Sequence, residues 1–479
     1  MFLIHISRLS GARPRVTNQL LRDWRPVASN APPVSNNRIS VPRVCERANE
    51  MQTRQGPYRW YVLFVLTAIF TTHYIDRAVI SVLIEPIKQE FGLSDSALGL
   101  LSGLAHSGAL ALVALPMGWL TDRTNRVRLI AVVVTVWSGL TALGALSTGF
   151  VSLLLMRIGV GAAEAGGPPA SVSIIGDLFE RKELPTAMGI FYLAMGLGTG
   201  LIFLVGGFVA QYYGWRAVFL IAGIPGFVFG VLVLTTIKEP TRRAAANVGA
   251  TKPSFGAVVR EMSRNRALLF TVIAGTCASL AHASLITWMG PFLIRVREFS
   301  LGETGIVMAL ATIGGNTVGS LVAGFATPAL ARDKISRTYR FPALLLCLSL
   351  PVCWLLASVP GQPAAIGFVI LLSVILGGWA GQVTAVVLAS SPTSMHGTVS
   401  STYWMLANLV GVGVGPAAIG LMSDVAGSLG VAMTIGASIN VVAALFLFLA
   451  CRYLKAENEP GDVPDVEGLI PSGNEPSNR

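Results

Sequence analysis

Long apolar stretches, broken by short polar ones, set the plan of this chain. Residues 184–215, 217–237, 267–294, 304–331 and 425–451 contain no Asp, Glu, Lys or Arg, and 341–423 is equally free of them. A bilayer core about 30 Å thick is crossed by about 20 apolar residues of helix. None of these stretches alternates polar and apolar positions, which excludes a β-barrel. Inside the longest stretch, "VPGQP" at 359–363 and "SSPTSMHG" at 390–397 mark turns. The pattern predicts an all-α integral membrane protein of twelve transmembrane helices. They are expected near 59–84, 96–120, 128–148, 150–174, 184–210, 215–237, 267–293, 303–330, 341–359, 364–390, 398–423 and 428–452.

A polar, basic connection at 238–266 separates the sixth helix from the seventh. The expected organisation is a basic N-terminal tail (1–57), a six-helix bundle (58–240), a cytoplasmic linker (241–266), a second six-helix bundle (267–453) and a cytoplasmic C-terminal tail (454–479). Two halves of six helices are the arrangement of transporters built from repeats.

Composition agrees. Charged residues make up 12% of the chain, against about 25% in soluble proteins. The net charge of +11 needs no nucleic-acid partner. With the N-terminus inside, sixteen Lys and Arg fall in inner connections. Only Lys88, Arg216, Arg295 and Arg297 fall in outer ones. Lys and Arg gather on the cytoplasmic side of membrane proteins, so both termini are expected there, in the inner (plasma) membrane. The five cysteines have neither CxxC spacing nor a His at ligand spacing, so no metal site and no cofactor is expected. The tail 1–57 carries nine arginines and three acidic residues. It is open between an Arg-rich transit peptide, a disordered basic tail and a natural start at Met51.

One polar knot stands out. "GWLTDRTNRVRLI" (118–130) packs Asp122, Arg123, Arg126 and Arg128 into seven residues after the second helix. Its counterpart after the eighth helix, "GFATPALARDKISR", keeps the basic residues but has Pro328 where Asp would stand. By itself the knot is a topology anchor. Inside the helices, His73, Asp76, Arg77, Arg157 and Glu164 are conspicuous. A charge at a helix centre costs about 2.5–3.5 kcal/mol on insertion scales, and such residues face water-filled cavities or one another. Arg157 and Glu164 lie two turns apart on one face, and His73 and Asp76 are neighbours one turn apart. The second half has no charge in its helices. It offers His282, Trp288, Asn316, Trp379, Gln382, Trp404 and Asn408 instead, a wall suited to an amphiphilic or aromatic solute.

The 6+6 layout and the loop Gly118-x-x-x-Asp122-Arg123-x-x-x-x-Arg128 resemble the major facilitator superfamily. The stretches 74–103 ("YIDRAVISVLIEPIKQEFGLSDSALGLLSG"), 157–170 ("RIGVGAAEAGGPPA") and 214–226 ("GWRAVFLIAGIPG") resemble its spinster-like branch, with the organic anion symporters close by. The resemblance implies that Gly118, Asp122, Arg123, Arg126 and Arg128 form a cytoplasmic gate. Helix-dipole interactions of about 0.3–1 kcal/mol are weak enough to form and break in a cycle. It also implies that Asp76, Arg77 and Glu164 couple protons to transport. A carboxylate in an apolar setting favours its neutral form, and a neighbouring guanidinium favours the charged form. An Arg that swings between Asp76 and Glu164 would load and unload a proton. The alternative is a static ion pair tying the first helix to the fourth.

The expected function is a secondary active transporter for a small amphiphilic or organic-anion solute, working by alternating access with protons. It would act as a monomer in the lipid bilayer and is not an enzyme. Rivals are an uncoupled facilitator, an organic anion or sugar-acid symporter, and a membrane sensor with a transporter fold. Candidate cavity or substrate residues are His73, Arg157, Tyr192, Trp288, Gln382, Trp404 and Asn408. His106 and His282 are read as ordinary polar groups within helices. "GVGVGP" at 411–416 imitates a phosphate-binding loop but lacks a preceding strand and a following Lys. Gly411 and Gly415 instead form a close-packing face.

Overall fold

The computed structural model describes residues 56–180, 182–240, 255–331, 339–392 and 395–457. The expectations placed on both tails and on the middle of the linker lie outside the described residues. Among the described residues, twelve helices are long and apolar enough to cross a membrane. They are α1 (Gly56–Phe91), α2 (Asp95–Arg123), α3 (Arg126–Leu146), α4 (Phe150–Leu178), α5 (Leu184–Tyr213) and α6 (Trp215–Thr236), then α7 (Arg266–Arg297), α8 (Leu301–Thr327), α9 (Arg340–Ser358), α10 (Gln362–Leu388), α11 (Thr398–Ala426) and α12 (Leu429–Tyr453). No strand occurs among the described residues. Each predicted helix is found, usually longer by a few residues at an end. A further short helix, Phe255–Arg264, lies in the linker.

Local sequence explains where the helices start and turn. Ser94, Asn125, Asn265 and Ser300 precede α2, α3, α7 and α8, and each accepts a backbone N–H of the first turn on its side-chain oxygen. Such caps satisfy donors that a helix start leaves unpaired. Gly92, Gly214 and Gly427 turn the chain at φ values of 62°, 80° and 63°, a region that L side chains avoid. α2 breaks at Gly103, and α4 breaks after Glu164 before "GPPA" restarts it.

The helices form two bundles of six. In the first, α3 lies along α6 and α2 crosses α4; in the second, α7 and α9 both pack on α12. The bundles meet along two seams, α2 with α11 and α5 with α8. Glycines make the seams tight. A Cβ on Gly99 would overlap the Pro416 backbone, one on Gly103 the Gly413 carbonyl, and one on Gly207 the backbone at Leu301 and Gly305. All three lie toward the end that carries the α1–α2, α5–α6, α7–α8 and α11–α12 turns. Along the same helices, nearer the other end, a Cβ on Gly108, Gly118, Gly189 or Gly324 would touch no described atom of the opposite bundle. The bundles are sealed at one end and part at the other. π-helical segments interrupt α8 at Leu310–Gly315 and α11 at Ala407–Val414, where the seams begin to open. Such wide turns are frequent at functional sites.

Bulk placed in the sealed seam has nowhere to go. Gly99→Leu is expected to cost about 1–3 kcal/mol by overpacking and to lower the melting temperature of the purified protein. Gly118→Leu, placed in open space, should melt with the unaltered protein.

Candidate functional site

A cluster of ionisable groups sits halfway along the first bundle, built from α1, α2 and α4. Gly161 lets α2 and α4 approach until a Cβ there would collide with the His106 carbonyl. One turn on, Glu164 meets the His106 side chain: Nε2 lies 2.7 Å from Oε2. His73 Nδ1 of α1 lies 2.9 Å from the same oxygen, but it is poorly aligned for a hydrogen bond. All three side chains are buried, Glu164 completely. Glu164 Oε1 has no hydrogen-bond partner. Aromatic rings fix His73 from the other side. Phe70 stacks on it at 5.5 Å between centroids, and Tyr74 and Trp137 present their edges.

Asp76 is fully buried beside Thr141 of α3, and neither of its carboxylate oxygens has a well-aligned hydrogen-bond partner among the described residues. Arg157 of α4 is buried beside it. Its Nη1 donates to the Asp76 backbone carbonyl at 3.0 Å, while Nε and Nη2 are unpartnered. Among the described residues, neither Asp76 nor Glu164 pairs with an arginine side chain. Native interiors leave few buried polar groups unpaired, because each costs about 1–3 kcal/mol. Several in one cluster mark a place where function outweighs stability.

Arg77 takes a course that the adjacent-residue geometry leaves open. Its neighbour Asp76 points into the first bundle, and Arg77 reaches across to the second. Nη2 donates to Asn408 Oδ1 of α11 at 2.7 Å, and the guanidinium carbon lies 5.9 Å from the Tyr74 ring centroid. In this state Arg77 is not held between Asp76 and Glu164. Asn408 Nδ2 in turn donates to the Trp404 carbonyl. Trp404 and Tyr192 are well exposed, and Gln382 is half-buried.

Trp288 departs from its expected place in a cavity wall. It is completely buried, and its indole N–H donates to the Pro416 carbonyl at 2.8 Å. It fastens α7 to α11, because the indole fills the space beside Gly420. Gly411 and Gly415 do pack closely, against Ser279 and Ser284 of α7. His282 faces Trp379 at 6.1 Å between ring centroids, with His282 Nδ1 and Trp379 Nε1 both unpartnered.

Sequence reasoning missed the polar clasp at the sealed end. Arg295 of α7 binds Glu85 of α1 through Nε at 2.5 Å and Asp95 of α2 through Nη1 at 2.8 and 2.9 Å. Ser423 of α11 also donates to Asp95, and Lys88 lies 2.6 Å from it. Asp424 of α11 accepts the backbone N–H groups of Asp95 and Ser96 at 2.9 and 2.8 Å. A carboxylate of one bundle thus caps a helix start of the other, a favourable site for negative charge. Each of these residues sits at a helix end, where an isolated charge carries no sequence signal; only the fold brings them together.

The knot after α2 divides in two. Arg126 is almost fully buried within the first bundle. It donates to Asp177 of α4 at 2.5 Å, to Glu239 after α6 at 2.7 Å, and to the Pro240 carbonyl. Arg123 instead lies at the surface over the Trp119 ring, 4.3 Å from its centroid. Gly118, Asp122 and Arg128 are at the end where the bundles part.

Twelve membrane helices in two bundles, closed at one end over a buried polar centre, define a transmembrane transporter. The chain belongs to the Major Facilitator Superfamily, whose sequence profile matches residues 66–416. An MFS-type efflux pump of Mycolicibacterium smegmatis is 32% identical over 377 residues, covering 78% of this chain and 86% of that one. A probable galactarate/D-glucarate transporter of Bacillus subtilis is 26% identical, covering 82% and 91%. A crystal structure of a bacterial homolog to the human lysosomal transporter Spinster, inward-facing and unoccupied, superposes with a TM-score of 0.77 at 27% identity. It covers 85% of this chain and 100% of that one. The spinster resemblance and the organic-anion one both find counterparts here.

Removing Arg126 leaves Asp177 and Glu239 without the guanidinium between them. Arg126→Ala is expected to destabilise the protein by about 3 kcal/mol, the scale of breaking one partner out of a buried ion pair. Arg123→Ala should leave thermal unfolding in detergent within about 0.5 kcal/mol of the original, as surface changes do.

Proposed function

We propose that this protein is a proton-coupled secondary transporter moving a small amphiphilic or organic-anion solute by alternating access. It works as a monomer in the plasma membrane with both termini in the cytoplasm. The observation that carries the proposal is the pair of fully buried carboxylates, Asp76 and Glu164, neither tied to an arginine side chain. A static ion pair would hold its partners together, whereas a proton site needs a carboxylate free to change state. Asp76 and Glu164 carry the protons. Arg77, already bridging the bundles through Asn408, links their state to the movement of the halves.

The positive-inside count supports a cytoplasmic parted end, and hence an inward-open state. The solute site lies between the bundles, with His73, Arg157, Tyr192, Gln382, Trp404 and Asn408 as its candidate contacts. Arg77 offers an anionic group its guanidinium, and the rings of Tyr192 and Trp404 offer apolar contact. The sugar-acid relative is in keeping with an anionic solute. Gly118, Asp122, Arg123 and Arg128 form the cytoplasmic gate, with Arg126 anchoring the gate loop to the first bundle.

Two variants in proteoliposomes test the proposal, once a solute is found among sugar diacids, aromatic acids and anionic amphiphiles. A gradient of one pH unit supports about tenfold accumulation per coupled proton. Glu164→Gln should lose that accumulation yet retain solute exchange, which needs no net proton movement. Loss of both together would mean a structural ion site, and intact accumulation would mean that Glu164 carries no proton. Asp122→Asn should insert normally and slow net transport about two- to fivefold, the rate equivalent of an exposed charge pair worth up to about 1 kcal/mol. An unchanged rate at equal protein amount would remove Asp122 from the gate.

A further inference from the structure

Glu164 is held by histidines. We propose that His106 is a positioning residue of the proton site, and that it shares one proton with Glu164 across their 2.7 Å contact. This rests on Glu164 as a proton carrier, and it changes what keeps Glu164 charged between protonations.

The geometry argues this in three ways. His106 and Glu164 are enclosed together, 1% and 0% exposed, so a carboxylate there keeps its charge only if donors solvate it in place of water. The donors present are imidazoles. His106 Nε2 is aligned with Oε2, and His73 Nδ1 is near the same atom. Secondly, Gly161 brings the α2 backbone against α4 at His106, so the contact is built into the helix crossing. Thirdly, neither arginine donates to Glu164: Arg157 gives one nitrogen to the Asp76 backbone carbonyl, and Arg77 gives one to Asn408.

The groups facing this site are His73, Tyr74, Asp76 and Arg77 from α1, His106 from α2, Trp137 and Thr141 from α3, and Arg157 from α4 itself. Transfer is balanced within the pair. A proton leaves Nε2 of the His106 imidazolium for Glu164 Oε2, giving neutral imidazole, still protonated at Nδ1, and neutral carboxylic acid. Charge on the pair is zero before and after, so the step needs no new counter-ion in the apolar interior. His73 lies near the same oxygen without a hydrogen bond to it, and its stacked Phe70 keeps the ring in place.

Infrared difference spectra of the full chain in lipid nanodiscs, stepped from acid to alkaline pH, test this without any solute. The carbonyl stretch of protonated Glu164 is the band that Glu164→Gln removes. In His106→Leu that band should grow about tenfold or more at neutral pH, the scale of losing one hydrogen bond to a charged group. His106→Gln, which keeps an N–H donor, should restore it toward the original amplitude. In the unaltered protein, imidazole bands should change at the same pH as the Glu164 band. That comparison stands even if His106→Leu does not fold. Equal bands in all three proteins, or imidazole changes at a separate pH, would overturn the role of His106. If Glu164→Gln removes no band at any pH, Glu164 itself does not titrate, and the proton-carrier assignment falls instead.

Discussion

Charge inside a bilayer must be paired, hydrated or neutralised, and this structure is organised around that requirement. Its first bundle carries His73, Asp76, Arg77, Arg157 and Glu164 at mid-membrane depth, where each unpaired charge costs a few kcal/mol. They are not resolved into two ion pairs. The histidines take Glu164, a backbone carbonyl takes one nitrogen of Arg157, Asn408 takes Arg77, and the Asp76 carboxylate has no well-aligned partner among the described residues. A cluster so incompletely satisfied has alternatives of similar energy, and that is what a carrier that changes state requires.

The rest of the fold closes on one side of this buried cluster. Glycine seams bring α2 to α11 and α5 to α8 at one end. There the clasp of Arg295, Glu85, Asp95 and Asp424 adds charge-assisted hydrogen bonds between the bundles. At the other end the same helices separate. Gly103 and the two π-helical segments lie where closure gives way to opening. Arg126, by contrast, is locked into the first bundle by two carboxylates. It ties the start of α3 to α4 and to the chain after α6.

Much of this was legible in the sequence for a physical reason. A helix that must cross about 30 Å of hydrocarbon writes itself as a charge-free run, so all twelve helices could be counted. Charges that break the rule announce themselves, which picked out Asp76, Arg77, Arg157 and Glu164. What could not be read was partnership. His106 looks like any polar residue in a helix, since nothing in its neighbours says that Gly161, on another helix, will bring it to Glu164. Trp288 looks like a cavity aromatic, yet it closes α7 onto α11. Arg126 and Arg123 are three residues apart in one motif, but Arg123 ends α2 at the surface while Arg126 begins α3 and turns inward to Asp177 and Glu239. The sealed-end clasp joins residues as much as 329 positions apart in sequence. Such contacts follow from the crossing of helices, which no local pattern specifies.

The central claim is that solute movement and proton movement are one process. The most direct test is to count both at once, in proteoliposomes loaded with a pH-sensitive dye and poised at different solute and proton gradients. The gradient ratio at which net flux reverses gives the number of protons carried with each solute. This account predicts that changing the pH gradient shifts the reversal point in proportion. A reversal point set by the solute gradient alone, whatever the pH difference, would contradict it.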